Sequence, residues 1–258
     1  MMGGNDQQAY DRGTSLFSPD GRIYQVEYAR EAVSRGAPSV GIRTADGVVF
    51  VAMSRASSTL MEAESIEKLH KLDDHLGTAS AGHVADARQL IDLARRQSQG
   101  NRLRYGEPVG VETLTKFVTD HIQENTQRGG TRPYGAALLI GGIENGEPRL
   151  FAADPSGTPN EWKATVIGGG RQDIQGHLEE EWTDDLSITG GVELGLAALA
   201  AHEDEFEPAD VAVATITEAD GYRTVPGDEV ADAFEAAEIG DDADDADADD
   251  DDETDSEE

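Results

Sequence analysis

The residues able to do covalent chemistry can be taken in turn. The six histidines are His70, His75, His83, His121, His177 and His202. None forms an HExxH pair or a close zinc spacing, and the five-residue step from His70 to His75 matches neither one helix face nor one strand face. Without cysteine there is no thiol nucleophile, disulfide or cysteine-ligated zinc. No GxSxG or SxxK marks a serine nucleophile. Gly168-Gly169-Gly170 offers backbone N–H groups that could cradle a phosphate, but it lacks both GK[ST] and GxGxxG and reads as a tight strand-to-helix connection. The remaining option is a threonine freed by self-cleavage, using its own α-amine as base. Gly-Thr pairs occur at Gly13-Thr14, Gly77-Thr78, Gly130-Thr131 and Gly157-Thr158, and only a cut at the first leaves the body intact. Pro19 follows Thr14 within five residues, so Thr14 cannot open a buried strand of useful length. The residues by themselves therefore point to no catalytic centre, no metal and no cofactor.

Charge narrows the function further. The 258 residues carry 53 acids and 20 bases, a formal net charge of −33. Residues 241–258 hold 13 of the acids and no base, which leaves −20 on the preceding 240 residues. Such a surface repels phosphate backbones and anionic membranes, so neither nucleic acid nor membrane is an expected partner. No stretch reaches the roughly 18 apolar residues of a membrane span, and the start has no secretory pattern, so the expected location is cytoplasmic. Only four bases are lysines, Lys68, Lys71, Lys116 and Lys163. An acidic, arginine-biased body fits a protein working in high salt, where the Debye length falls to about 3 Å at 1 M. The aspartate-rich end lacks the EF-hand spacing and reads as a disordered tail.

The elements that must position any site follow from periodicity. Ser18-Pro19-Asp20-Gly21 is a turn, and Gly21–Arg35 reads as a helix through Ile23, Val26, Ala29 and Val33, with a Glu31–Arg35 pair and Gly36 as its cap. Strand pairs are expected at Ser39–Ile42 with Val48–Met53, and at Lys68–Leu72 with Leu76–Ala81, the latter turning at Asp73-Asp74. Helices follow at Val84–Gln99, with Val84, Ala87, Leu90, Ile91 and Ala94 on one face, and at Val111–Gln127. Ala136–Ile143, Arg149–Ala153 and Trp162–Ile167 read as strands, 172–182 and 188–202 as helices. Val211–Ile216 with Tyr222–Val225 is a last hairpin, and Asp228–Ala237 a terminal helix. Hairpins outnumber βαβ units, so the fold class is α+β with antiparallel sheets. No domain boundary is expected before 240.

Several contiguous stretches resemble one family. Tyr10-Asp11-Arg12, Phe17-Ser18-Pro19-Asp20-Gly21-Arg22 and Gln25-Val26-Glu27-Tyr28-Ala29-Arg30-Glu31-Ala32-Val33 closely resemble the N-terminal signature of proteasome α subunits. The resemblance continues through Ser65-Ile66-Glu67-Lys68, Ala81-Gly82-His83-Val84-Ala85-Asp86-Ala87-Arg88, Tyr105-Gly106, Arg132-Pro133-Tyr134-Gly135 and Asp154-Pro155-Ser156-Gly157. With the salt-adapted composition, it is similar to an archaeal, halophile-type member. It implies a four-layer α-β-β-α sandwich of two antiparallel sheets, as in N-terminal-nucleophile hydrolases, with an extra N-terminal helix. The implied organisation is a gate segment and turn at 1–20, the sandwich at 21–240 and the tail at 241–258.

The resemblance also implies roles. Catalytic β subunits open their first strand with threonine shortly before Val-Gly-Ile, whereas here the stretch is Ala37-Pro38-Ser39-Val40-Gly41-Ile42, so the subunit is implied to be non-catalytic. It implies a heptameric α ring stacked on proteolytic β rings, with unfolded proteins admitted through an axial gate. Tyr10, Asp11, Pro19 and Tyr28 match the gate cluster, and Arg12 belongs to the same motif. Proline fixes φ and tyrosines offer apolar faces with polar tips, which suits a two-state chain direction. Lys68, Gly36 and Gly82 match a pocket that receives the C-terminal tails of the regulatory ATPase ring, where a cation and backbone donors capture a carboxylate. A plain ion pair of Lys68 with Glu64 or Glu67 is the alternative. His83 stands where the family more often has leucine, which makes tail contacts different or pH-dependent. Met53-Ser54-Arg55-Ala56-Ser57-Ser58 replaces an Asp-Lys-Arg-rich run, which leaves partner choice there open. Two other functions stay open: a self-processed hydrolase beginning at Thr14, and an acidic binding module built on the tail.

Overall fold

The computed structural model describes residues 17–18, 21–56, 58–62, 65–128, 130–203, 206–237 and 239. Helix α1 (Tyr24–Ser34) precedes the hairpin β1 (Ser39–Arg43) and β2 (Gly47–Met53), then the hairpin β3 (Leu69–Asp73) and β4 (Leu76–Gly82). Helices α2 (Val84–Tyr105) and α3 (Val111–Gln127) lead to β5 (Ala136–Glu144), β6 (Glu147–Ala153), β7 (Pro159–Glu161) and β8 (Ala164–Ile167). Helices α4 (Arg171–Glu181) and α5 (Ile188–Ala200), the hairpin β9 (Val211–Thr217) and β10 (Gly221–Thr224), and α6 (Gly227–Ala236) complete the chain.

The strands form two five-stranded sheets, β10-β9-β2-β1-β8 and β3-β4-β5-β6-β7, paired antiparallel throughout. Every residue of β2 is buried, and its period of two divides it between two cores. Val49, Val51 and Met53 meet α4, α5 and α6, while Val48 and Phe50 face the other sheet. The same alternation sends Leu138 and Ile140 of β5 toward α2 and α3, and Ala137 and Leu139 inward. The result is the α-β-β-α layering that the resemblance implied. Full burial of side chains such as Phe50, Leu138 and Ile140 stabilises by about 1.5–3 kcal/mol each. Helix α5 lies close on its sheet because Gly195 has no side chain: a Cβ there would stand 2.5 Å from Val51 Cγ2.

Four expectations need correction. Helix α2 runs six residues past Gln99, to Tyr105, and Gly106, with φ +75°, ends it. Its last turn is held by Arg102, which reaches Asp73 at 3.3 Å and Asp74 at 3.6 Å. Val84 is not buried but 66% exposed, because it stands at the very start of α2, where it lines a cavity instead of the core that takes Ala87 and Ile91. The β3–β4 turn falls at Asp74-His75, since Asp73 remains in the strand, buried and accepting from Ser98 Oγ at 2.8 Å. Trp162 lies between two strands, with Pro159–Glu161 forming an additional edge strand on β6 and β8 beginning at Ala164.

Candidate functional site

The site grows out of the junction between α1 and the two sheets. Helix α1 buries Val26, Ala29 and Val33, and Val33 enters the core between the sheets beside Ala81, Ala137 and Ile167. The Glu31–Arg35 pair is present at 3.2 Å on its outer face. Gly36 N–H then bonds Val33 O at 2.9 Å, and the chain turns into β1. Ser39 opens β1 fully buried, its hydroxyl donating to Ser80 O at 2.9 Å, so the first hydroxyl of the strand is committed to structure. No threonine occupies the strand start, and α1 covers the end of the inter-sheet core.

Three of the four expected tail-docking residues converge here. Gly36 touches Gly82 backbone to backbone, and Gly82 adopts φ +96°. Lys68 turns away from Glu67 and donates through Nζ to Ala37 O at 2.6 Å and Pro38 O at 3.1 Å. The alternative pair with Glu67 is therefore not formed, and Glu64 lies outside the described residues. With no counter-charge among the described residues, desolvation pulls the Lys68 ammonium down to about 7. Lys68 and Gly82 line a cavity of about 310 Å³ with Met53, Met61, Ile66 and Val84. The exposure of Val84 thus has a consequence: it gives this cavity an apolar wall.

The fourth residue, His83, sits at the rim as the residue before α2, half exposed, with Nδ1 3.7 Å from Asp86 Oδ1. Its backbone N–H bonds Gly135 O at 2.8 Å. Asp86 fastens this wall from below. Its carboxylate accepts from Arg132 Nη1 and Nη2 at 2.5 and 2.7 Å and from Gly135 N–H at 2.8 Å. Burial pushes the Asp86 carboxyl up, but the Arg132 guanidinium and the Gly135 N–H outweigh it and hold it below the usual carboxylate range. Sequence reading placed Asp86, Arg132 and Gly135 within matching stretches but assigned them no role. No local pattern links residues 46 and 49 positions apart in the chain.

Of the gate residues, Tyr28 is described: it is 49% exposed on α1 and stacks on Tyr24 with ring centroids 6.5 Å apart. Tyr10, Asp11, Arg12 and Pro19 lie outside the described residues, as do Thr14 and the acidic tail. The turn leading to α1 is defined at its ends, where Gly21 N–H bonds Ser18 O and Ser18 N–H bonds Arg22 O, both at 2.8 Å.

Two antiparallel five-stranded sheets packed between helix layers, with a helix over one end, define a class: the α+β fold of the N-terminal-nucleophile-hydrolase type. Comparison with known proteins makes this specific. Residues 33–216 match the proteasome subunit family, and residues 10–32 match the N-terminal signature of its A-type subunits. The chain is 63% identical to the alpha 2 proteasome subunit of Haloferax volcanii over 242 residues, covering 94% of this chain and 97% of that one. It is 61% identical to the alpha 1 proteasome subunit of the same organism, over 93% and 96% of the two chains. It is 62% identical to the alpha proteasome subunit of Haloquadratum walsbyi, over 90% and 93%. The chain belongs to the proteasome α-subunit family. Membership implies assembly with other proteasome subunits, and the α type is the non-catalytic kind. Among the described residues no helix is long and apolar enough to cross a membrane.

Proposed function

We propose that this chain forms the outer heptameric ring of a cytoplasmic proteasome core, gates the admission of unfolded proteins to β-subunit proteolytic sites, and docks the C-terminal tails of an ATPase ring. The observation that carries the docking is the Lys68 pocket. A desolvated ammonium at the edge of an apolar, thioether-lined cavity, beside glycine backbone, is suited to a carboxylate that ends an apolar peptide. The bound carboxylate restores to Lys68 the charge stabilisation that burial removes. Met53 and Met61 supply adaptable walls, so the departure at residues 53–58 changes the pocket lining without removing the cation.

Gating by Tyr10, Asp11, Arg12, Pro19 and Tyr28 rests on the family signature over residues 10–32. The experiment is ATPase-stimulated degradation by reconstituted particles in high salt. Lys68→Ala is expected to abolish stimulation while rings still assemble, and normal stimulation removes the docking role. Deleting residues 1–12 is expected to raise peptide hydrolysis without the ATPase, and an unchanged rate removes the gating role.

A further inference from the structure

Three of the four lysines are held by a carboxylate. Lys71 meets Asp74 at 2.7 Å, Lys116 meets Glu112 at 2.6 Å and Lys163 meets Asp184 at 3.1 Å. Lys68 meets none among the described residues. Its Nζ rests instead on two backbone carbonyls, Ala37 O and Pro38 O, in the wall of the 310 Å³ cavity. An ammonium has three N–H donors, and no described residue supplies the third acceptor. A neutral amine has two, which the two carbonyls satisfy, and its lone pair then points away from both. The charged side chains around the cavity are turned elsewhere. Arg55 reaches Asp210 at 3.3 Å, the exposed Glu67 lies 4.0 Å from His70 Nδ1, and His83 at the rim faces Asp86 at 3.7 Å. Burial lowers Lys68 to about 7, so about half of it is neutral at pH 7. An ordinary lysine near 10.4 is neutral in only about 0.04% of molecules at that pH.

We propose that Lys68 is a covalent modification site, a nucleophilic amine that takes a small apolar acyl group from a thioester. The Nζ lone pair attacks the thioester carbonyl carbon, the new C–N bond replaces the C–S bond, and the amine proton leaves with the thiolate. The products are an amide and a thiol, and no oxidant or reductant is needed. A desolvated lysine without a neighbouring negative charge is the arrangement that activates an amine as nucleophile. Met53, Met61, Ile66 and Val84 give the acyl group an apolar wall. The amide keeps one N–H for a carbonyl but can carry no charge, so acylation would switch off tail docking. That consequence rests on the docking reading, whereas the acylation does not.

The test treats the full-length chain, in molar potassium chloride and without any ATPase, with the isobutyryl thioester of N-acetylcysteamine. Peptide mass mapping reads each lysine separately. At pH 7 Lys68 is expected to react at least tenfold faster than Lys71, Lys116 or Lys163. Its rate should level off above pH 8, while those of the other three climb about tenfold per pH unit toward 10. The isobutyryl-to-acetyl rate ratio should be at least threefold higher at Lys68 than at Lys116, because only Lys68 has an apolar wall. Val84→Glu changes an exposed side chain and sets a carboxylate in that wall. It should slow Lys68 at least threefold at pH 7 and leave Lys116 unchanged, with circular dichroism checking the fold. Labelling of Lys68 no faster than the other lysines overturns the proposal, as does a Lys68 rate that keeps rising to pH 10 or that Val84→Glu leaves unchanged. Because the ATPase is absent, a failure here leaves docking standing, and a failure of docking leaves the labelling standing.

Discussion

Gly36 and Gly82 meet backbone to backbone: a Cβ on Gly36 would lie 2.6 Å from the Gly82 nitrogen and 3.0 Å from its Cα. Neither group is the end of a flexible side chain, so Gly36→Ala must push β1 and β4 apart. The expected cost is about 1–3 kcal/mol, the usual range for forced overpacking. Gly100 is the control. It lies inside α2, and a Cβ there would meet nothing within 4 Å, so Gly100→Ala should stabilise by about 0.5–1 kcal/mol. Thermal unfolding of the two variants should move in opposite directions.

Docking at Lys68 should depend on pH with a definite sign. Burial lowers its ammonium to about 7 in the free chain, while the unfolded value is about 10.4. Between these values the unfolded chain binds more protons, so stability should rise with pH through this window. A docked carboxylate favours the charged form, and binding therefore takes up a proton. Affinity for a peptide with a free C-terminal carboxylate should fall by up to about tenfold per pH unit above 7. Calorimetry in buffers of different ionisation heat measures the proton uptake directly, and Lys68→Arg should flatten the pH profile.

Asp86 should act as the fastener of the pocket wall. Replacing it with Asn removes the charge-assisted bonds to Arg132 and weakens that to Gly135, at an expected cost of about 1.5–3 kcal/mol. Its folded carboxyl is held below the usual range, so its contribution is present above about pH 4 and is lost as acid protonates it. Acid titration of stability should therefore be shallower below pH 4 in Asp86→Asn than in the wild type.

Salt should stabilise the chain. The −20 on residues 1–240 repels itself at low ionic strength, and the Debye length shortens from about 10 Å at 0.1 M to about 3 Å at 1 M. Melting temperature should rise with potassium chloride, and assemblies formed in molar salt should dissociate on dilution into low salt. Native mass measurement across that series gives the readout. Removing residues 241–258 should leave the trend in place, because the charge of the body alone produces it.

The sequence was most readable where one period dominates. The apolar runs of β2 and β5 and the helical spacing in α1 and α3 follow from residue types alone, since a strand buried on both faces needs apolar residues throughout and a helix only on one stripe. Helix α3 begins and ends where periodicity placed it, at Val111 and Gln127. Periodicity failed at the ends of elements. Val84 fits the apolar stripe of α2, yet it stands at the very start of the helix and lines a cavity instead of the core. The extension of α2 past Gly100 depends on Arg102 reaching across to β3, a contact that no local pattern encodes.

The sequence by itself determined the antiparallel α+β class, the family signature and the missing threonine before Val40. Each is a property of residue order. Only the tertiary structure decided that Lys68 spends its charge on two carbonyls, that Gly36 and Gly82 touch, and that Asp86 ties the pocket wall to Arg132. Each of these joins side chains or backbone from elements far apart in the chain. A period fixes which face of an element is buried, but the partner on that face is set by how the layers stack and how closely they approach.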